Sequence, residues 1–293
     1  MTGPELAPET AAEALRAAIP RLRAAGVEDA PLDARLLLSH AMGIAADRLT
    51  LHLPDALTPD QAQAYQAAIN ARLARQPVAQ IIGQRQFWGL TFRVTPDTLD
   101  PRPDTEALVA EALTAPFLNM LDLGTGTGCI LLACLNSMPM ARGLGVDISP
   151  AALGVAKGNA DALGLAARAE FRLSDWFAAV PGRYDLIVSN PPYIAANEMP
   201  ALAPEVRDWE PHLALTPGGD GLDPYRILAR SAPARLMAGG RLLVEIGPTQ
   251  GQAVAAMFAA AGLQHIRILP DMDGRDRVVA AVKPQAQDGE ACT

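Results

Sequence analysis

Cysteine is scarce: the chain has 293 residues and 3 cysteines, Cys129, Cys134 and Cys292. A sparse, odd set gives no disulfide framework and points to reduced thiols in a cytoplasmic protein. Histidine is scarce too, and His40, His52, His212 and His265 stand far apart, so no zinc-type ligand spacing exists and no metal is expected. Basic excess is missing. The 24 Lys and Arg are outnumbered by 32 Asp and Glu, for a net charge of -8. Non-specific nucleic-acid binding needs a basic face, so it is not expected here, although a small local basic patch remains open. No run of about 18 apolar residues occurs, so no membrane span is expected. No basic-then-apolar leader opens the chain, so no secretory signal is expected either.

Half of the residues are hydrophobic, enough for one large core or two domains. Residues 1–9 are polar and read as loose. From there to about 76 the chain is rich in Ala, Leu and Arg at helical spacing, with Leu32, Leu36, Leu37 and Ala41 on one face. Thr58-Pro59-Asp60 reads as a helix start, Thr58 capping and Pro59 in the first position. The reading is a small all-helical N-terminal domain of four or five helices, over 1–78. Gln80-Ile81-Ile82-Gly83 and Phe87–Val94 read as the strands of a β-hairpin linker, over 79–100.

A regular alternation follows. Strands are expected at 118–123, 143–146, 169–173, 184–188, 241–246, 265–269 and 278–282. Helices are expected at 107–113, 128–136, 151–163, 225–237 and 250–261. Ser149 caps the third of these helices, with Pro150 in the first helical position. Apolar strands alternating with helices argue for an α/β, doubly wound sheet over 101–283. Beyond it the polar tail 284–293 reads as disordered.

Two stretches carry chemistry. The apolar strand ending at Val188 runs into Ser189-Asn190-Pro191-Pro192-Tyr193. Each proline fixes its own φ, removes an N–H and holds the preceding residue extended. The result is a stiff set of oxygen acceptors, the Asn190 carboxamide among them, beside the Tyr193 ring. Such a set suits a planar group with two N–H bonds, an amide or an exocyclic amine. The plainer reading is a proline-rich loop that ends a strand. The second stretch, Leu121-Asp122-Leu123-Gly124-Thr125-Gly126-Thr127-Gly128, joins the first strand to the first helix. Glycines there permit a tight turn and close approach to a ligand, and the helix start behind them offers free N–H groups. Asp147 ends the next strand, where a carboxylate can accept both hydroxyls of a ribose; a helix cap is the other reading. The glycine spacing departs from the GxGxxG of dinucleotide sites. S-Adenosylmethionine, with a ribose and no pyrophosphate, suits both stretches, since in a doubly wound order they meet at one cleft mouth.

Asp122–Gly128, Asp147, Ser174-Asp175-Trp176-Phe177 and Asn190–Tyr193 together resemble the motifs of class I amino-methyltransferases. Phe87-Trp88-Gly89-Leu90, Pro101-Arg102-Pro103 with Thr105-Glu106, Asp220-Gly221-Leu222-Asp223 and Glu245-Ile246-Gly247 narrow this. Over residues 80–282 the chain is similar to the peptide chain release factor glutamine N5-methyltransferases. That resemblance implies a seven-stranded Rossmann-like domain and S-adenosylmethionine-dependent methylation of the glutamine in the Gly-Gly-Gln motif of class I release factors. It implies cofactor contacts at Gly124, Thr125, Gly126, Thr127, Gly128, Asp147, Trp176 and Asn190. It also implies substrate contacts at Asn190, Pro191, Pro192 and Tyr193. Within the catalytic set, Asn190 and Pro191 would accept the two amide N–H bonds and Tyr193 would pack on the amide plane. Phe87 and Arg102 are candidates for the cleft wall, plain packing being the alternative. Asp100, where an aliphatic residue is expected, and Asp104, in place of glutamate, depart from the pattern. A nucleic-acid adenine N6-methyltransferase is the runner-up, because an exocyclic amine presents the same two N–H bonds; it would have to flip its base and grip a phosphate backbone.

Overall fold

The structure is a computed structural model that describes residues 10–285. The stretch 1–9, expected loose, and the part of the expected disordered tail from 286 onward lie outside the described residues. The chain divides into two compact units. One holds residues up to Gly83 together with Ala203–Trp209; the other holds Gln84–Leu202 together with residues from Glu210 on.

Helices α1 (Ala11–Ala24), α2 (Ala30–Met42), α3 (Pro59–Leu73) and α4 (Val78–Ile82) build the first unit, with a 3-10 turn at Ala46–His52. Two capping boxes set helix starts. Thr10 accepts from the Glu13 N–H while Glu13 reaches back to the Thr10 N–H, and Thr58 does the same with Gln61 ahead of Pro59. Such caps each contribute about 1 kcal/mol. The α2 face that packs inward is Ala30, Ala34, Leu37 and Leu38, all fully buried, whereas Leu32 is 54% exposed. Helical spacing had located the stripe but placed it off by part of a turn. Residues 80–83 differ from expectation as well: they belong to α4 and its end, not to a strand. Pro77 opens that helix and Gly83 closes it in a left-handed conformation, and Ile81 and Ile82 pack on the helical core.

The second unit begins with a hairpin, β1 (Gln84–Phe87) and β2 (Leu90–Arg93), paired antiparallel. Its turn residues Trp88 and Gly89 both have positive φ, 50° and 70°, the geometry whose twist matches a two-residue hairpin. Then come α5 (Glu106–Ala112), β3 (Asn119–Leu123), α6 (Cys129–Ser137), β4 (Arg142–Asp147), α7 (Pro150–Ala162), β5 (Ala169–Leu173) and β6 (Tyr184–Ser189). The short helices α8 (Pro204–Arg207) and α9 (His212–Leu215) precede α10 (Asp223–Arg235), β7 (Leu236–Glu245), α11 (Gly251–Ala260), β8 (Gln264–Pro270) and β9 (Asp276–Val282). Of these, α8 groups with the first unit. There Glu205 pairs with Arg72 at 2.8 Å and Arg75 at 2.7 Å, and Arg72 also holds Asp33 at 2.7 Å.

The seven-stranded sheet has the order β5-β4-β3-β6-β7-β9-β8. Its first five strands are parallel, while β9 and β8 run antiparallel to their neighbours. Successive residues of the central strands feed opposite faces, as pleating requires. Leu186, Val188 and Leu243 pack with α5 and α6, whereas Leu121, Ile187, Leu242 and Val244 pack with α10 and α11. Both faces are therefore apolar, and Asp122, Asp147, Ser189 and Glu245 stand at or next to the C-terminal ends of their strands. The strand order also reverses there, between β3 and β6, which is where ligands bind in such sheets.

Candidate active site

The glycine turn leaves β3 at Leu123. Gly124 and Thr125 N–H both donate to the Val146 carbonyl of β4 at 2.9 Å. The Thr125 hydroxyl donates to Asp122 Oδ2 at 2.7 Å. Gly124, Gly126 and Gly128 have φ of 71°, 55° and 79°, a region that only glycine adopts without strain. A Cβ on Gly126 would meet no atom within 4 Å, so open space lies beside it. A Cβ on Gly128 would meet Leu132 and Ala156 at 3.2 and 3.3 Å, so that glycine serves the packing of α6 on α7.

Asp147 closes over the same turn. Its Oδ2 accepts from Gly126 N–H and its Oδ1 from Ser149 N–H, each at 2.9 Å. The cap of α7 is Ser149, which accepts from Ala152 N–H at 3.2 Å. The helix-cap reading of Asp147 therefore fails, and its remaining lone pairs are available to a ligand. Trp176 stands in the left-handed region at φ 48°, unusual for a bulky side chain. Ser174 holds it there: the hydroxyl donates to the Trp176 carbonyl at 2.8 Å and accepts from Ala179 N–H at 2.9 Å.

Strand register brings the second stretch alongside. Leu123 pairs with Ser189, and the Ser189 hydroxyl donates to the Leu123 carbonyl at 2.8 Å. Asn190 is thus the neighbour of Gly124. Its Nδ2 donates to Thr105 Oγ1 at 3.3 Å, which leaves Oδ1 as the free end of the carboxamide. The Tyr193 hydroxyl points to another place, donating to Glu245 Oε1 at 3.3 Å. The Tyr193 carbonyl accepts from Gln250 Nε2 at 2.9 Å. Burial, then the Glu245 carboxylate, raises the Tyr193 phenol well above its usual range. Burial also pushes Glu245 up to about 7, opposed first by the Thr105 hydroxyl, then by Arg277 and Tyr193.

A cavity of about 400 Å³ opens between these elements, within the range of small-molecule sites. Gly124, Thr125, Gly126, Thr127, Asp147, Trp176, Asn190 and Pro192 line it. Gly128, Pro191 and Tyr193 do not, nor does Phe87, which is buried edge-to-face on Phe92. The expectation that the Tyr193 ring faces the cavity is not met, because its hydroxyl is drawn to Glu245. Arg102 does line the cavity, held by both Glu210 oxygens at 2.7 and 2.8 Å. Asp97, Asp100, Asp147, Asp175 and Asp223 face the same space, against Arg102 as its one basic lining residue. Asp100 is buried where an apolar residue was expected. Its Oδ1 lacks a hydrogen-bond partner and lies 3.8 Å from Arg85 Nε, and burial raises its carboxyl. Asp104 pairs with Arg277 at 3.0 Å. Cys129 also lines the cavity, but burial pushes its thiol up to about 12, so it offers no nucleophile.

Residues 13–83 match the PrmC N-terminal domain family, and residues 98–210 match the Methyltransferase small domain family. A release factor glutamine methyltransferase of Cereibacter sphaeroides is 65% identical over 276 residues, covering 94% of this chain and 99% of that one. Another of that name, from Rhodospirillum rubrum, is 49% identical over 264 residues, covering 89% and 81%. The chain belongs to the release factor glutamine methyltransferase family. The fold of this family member is shared with a solved methyltransferase of Pyrococcus furiosus, at a TM-score of 0.52 and 14% identity, over 76% of this chain and 98% of that one.

The cavity of this family member fits S-adenosylmethionine. The open side of Gly126 admits a ligand against the backbone, Asp147 offers carboxylate lone pairs, and Trp176 supplies a flat apolar wall. Five aspartates against one already-paired arginine favour a ligand with cationic centres and disfavour a phosphate. Among the described residues no group of His, Cys, Asp and Glu could hold a metal ion. Sequence reasoning noticed Thr105 and Glu245 within motifs but gave them no role, and it did not single out Glu210 or Gln250. Their signal is tertiary: each lies far along the chain from the side chain it holds.

Proposed function

We propose that this protein transfers a methyl group from S-adenosylmethionine to the side-chain nitrogen of the glutamine in the Gly-Gly-Gln motif of class I peptide chain release factors. The observation that carries this reading is the β3–β6 register, which sets Asn190 beside the glycine turn on one cavity wall. When bound, S-adenosylmethionine supplies a methyl group on a positively charged sulfur. Gly124, Thr125, Gly126 and Thr127 would hold its methionine part, Asp147 its ribose and Trp176 its adenine, with Asn190 at the boundary with the substrate.

A glutamine nitrogen is a weak nucleophile, because its lone pair is delocalised into the carbonyl. What the protein must supply is orientation and charge stabilisation. Asn190 Oδ1 is free to accept one amide N–H, since Nδ2 is occupied by Thr105. The other N–H is assigned to the Pro191 carbonyl, although Pro191 itself is buried beside the cavity rather than in its lining, and both oxygens would support the positive charge that develops on nitrogen. Pro192 walls the cavity beside them. Tyr193 acts here through its anchoring to Glu245 and Gln250, which fixes the path of the proline segment.

The aspartate-lined cavity disfavours a phosphate backbone and so weighs against the nucleic-acid adenine reading. Among the described residues no helix is long and apolar enough to cross a membrane, in keeping with a cytoplasmic enzyme acting on a protein of translation termination. The test is mass spectrometry of a purified release factor after incubation with this protein and S-adenosylmethionine, with DNA run alongside. A net gain of about 14 Da, from a methyl group replacing one amide hydrogen that leaves as a proton, is expected on the Gly-Gly-Gln glutamine. Methylation of DNA with none on the release factor overturns the reading.

A further inference from the structure

The Asn190 carboxamide has two ends of nearly equal shape, and only its oxygen can accept an N–H from a substrate amide. Something must keep the nitrogen end turned away from the cavity. Thr105 Oγ1 stands at that end, 3.3 Å from Nδ2. Thr105 is 2% exposed and lies where the chain enters α5. Its hydroxyl has a single proton and lone pairs that can accept from Asn190. Glu245 is a buried acid beside it. It is 2% exposed, ends β7, and its Oε2 has no hydrogen-bond partner among the described residues. Within its surroundings the Thr105 hydroxyl is the neighbour that most favours the ionised carboxylate. No hydrogen bond joins Thr105 to Glu245 among the described residues, so the decisive contact is the one Asn190 Nδ2 donates to the Thr105 hydroxyl, whose lone pairs can accept it. The other groups facing Glu245 are Tyr193, Arg277, Asp104, Tyr225 and Cys129. Tyr193 donates to Oε1 and Tyr225 to the Glu245 main-chain carbonyl, so neither competes for Oε2.

Resting on the methyl-transfer reading above, we propose that Thr105 is a positioning residue: its buried hydroxyl locks the Asn190 carboxamide with the oxygen toward the substrate amide. The bond ties the start of α5 to the end of β6. Without the hydroxyl, the nitrogen end loses its acceptor and the carboxamide gains a competing, unproductive orientation. The competent fraction falls, and turnover falls with it.

The test measures methylation of a purified release factor by wild type, Thr105→Val, Thr105→Ala, Thr105→Ser, Asn190→Ala and the Thr105→Val/Asn190→Ala pair. Cofactor affinity is measured by calorimetry for each. Losing one neutral hydrogen bond predicts a kcat drop of roughly fivefold to tenfold in Thr105→Val. Cofactor affinity stays unchanged, and Thr105→Ser recovers most of the rate. Because Thr105 acts through Asn190, its loss adds nothing further in the Asn190→Ala background. Thr105→Ala carries the same comparison should the valine variant fail to fold. Wild-type kcat in both variants overturns the proposal, as does an equal loss in the Asn190→Ala background or a loss expressed as weaker cofactor binding. Absence of turnover by the wild type itself would sink the functional reading instead.

Discussion

Asp147 carries two tasks with one carboxylate. Its oxygens each hold a main-chain N–H, from Gly126 and Ser149, and the residue lines the cavity. Charged acceptors make hydrogen bonds about twice as strong as neutral ones, so the carboxylate shapes the glycine turn, and in the proposed function it also presents lone pairs to a ribose. Asp147→Ala removes both effects. Cofactor affinity measured by calorimetry is expected to weaken roughly tenfold to hundredfold, the equivalent of one or two charge-assisted hydrogen bonds. Unchanged affinity would take Asp147 out of the site. The place of Asp147 beside the turn was legible in the sequence because a glycine turn and an acid at the next strand end form a local pattern. The partnership of Tyr193 with Glu245 was not, because nothing within Asn190–Tyr193 says where a phenol turns after two prolines. Sequence gave the ring a place in the cavity; a buried carboxylate from β7 gave it another.

Among the elements, the loop ahead of α10 is tied most closely to the catalytic stretch. Gly221 has φ 77°, and a Cβ there would overlap the Tyr193 carbonyl oxygen and come within 3.1 Å of Ala195 N. Both neighbours are backbone, so neither yields easily. The Tyr193 carbonyl is already fixed by Gln250. Gly221→Ala is expected to cost about 1–2 kcal/mol for the left-handed conformation alone, and it shifts Pro192–Ala195 to relieve the overlap. The expected result is a lower melting temperature and a fall in kcat, with cofactor affinity close to wild type. A variant that melts and turns over like the wild type would show that the contact is not needed. The same scale shows where pattern reading succeeds. Pattern reading located every strand of the large sheet; in the central strands burial on both faces imposes the apolar run. Residues 80–83 escaped it. Two adjacent isoleucines suit a strand or a single helical turn equally, and only packing on the helical core decides between them.

For the molecule as a whole, the glycine turn rests on a buried acid. Asp122 is fully buried, accepts from Thr125 through Oδ2 and leaves Oδ1 without a partner. Burial pushes its carboxyl from 3.8 up to about 7, opposed by the Thr125 hydrogen bond and reinforced by the Asp147 charge. The folded chain therefore keeps a proton on Asp122 over a window in which the unfolded chain has released it. The unfolded state binds fewer protons there, so the contribution of this group to stability falls as pH rises through that window, from about 4 to about 7. Each pKa unit corresponds to about 1.4 kcal/mol, so the effect amounts to a few kcal/mol once Asp122 is ionised. Asp122→Asn keeps an oxygen for Thr125 and never ionises. Its melting temperature relative to wild type is expected to be higher at about pH 8 than at about pH 5, with most of the change falling within the titration window. Subtracting the two proteins cancels the carboxylates they share, including Asp271 and Glu205, which their arginine partners and hydrogen bonds hold below the usual range. A difference that stays flat from about pH 4 to about pH 8, or grows in the opposite direction, would mean that Asp122 is already ionised in the folded protein. The turn would then rest on a charged acid whose field adds to that of Asp147 across the cavity.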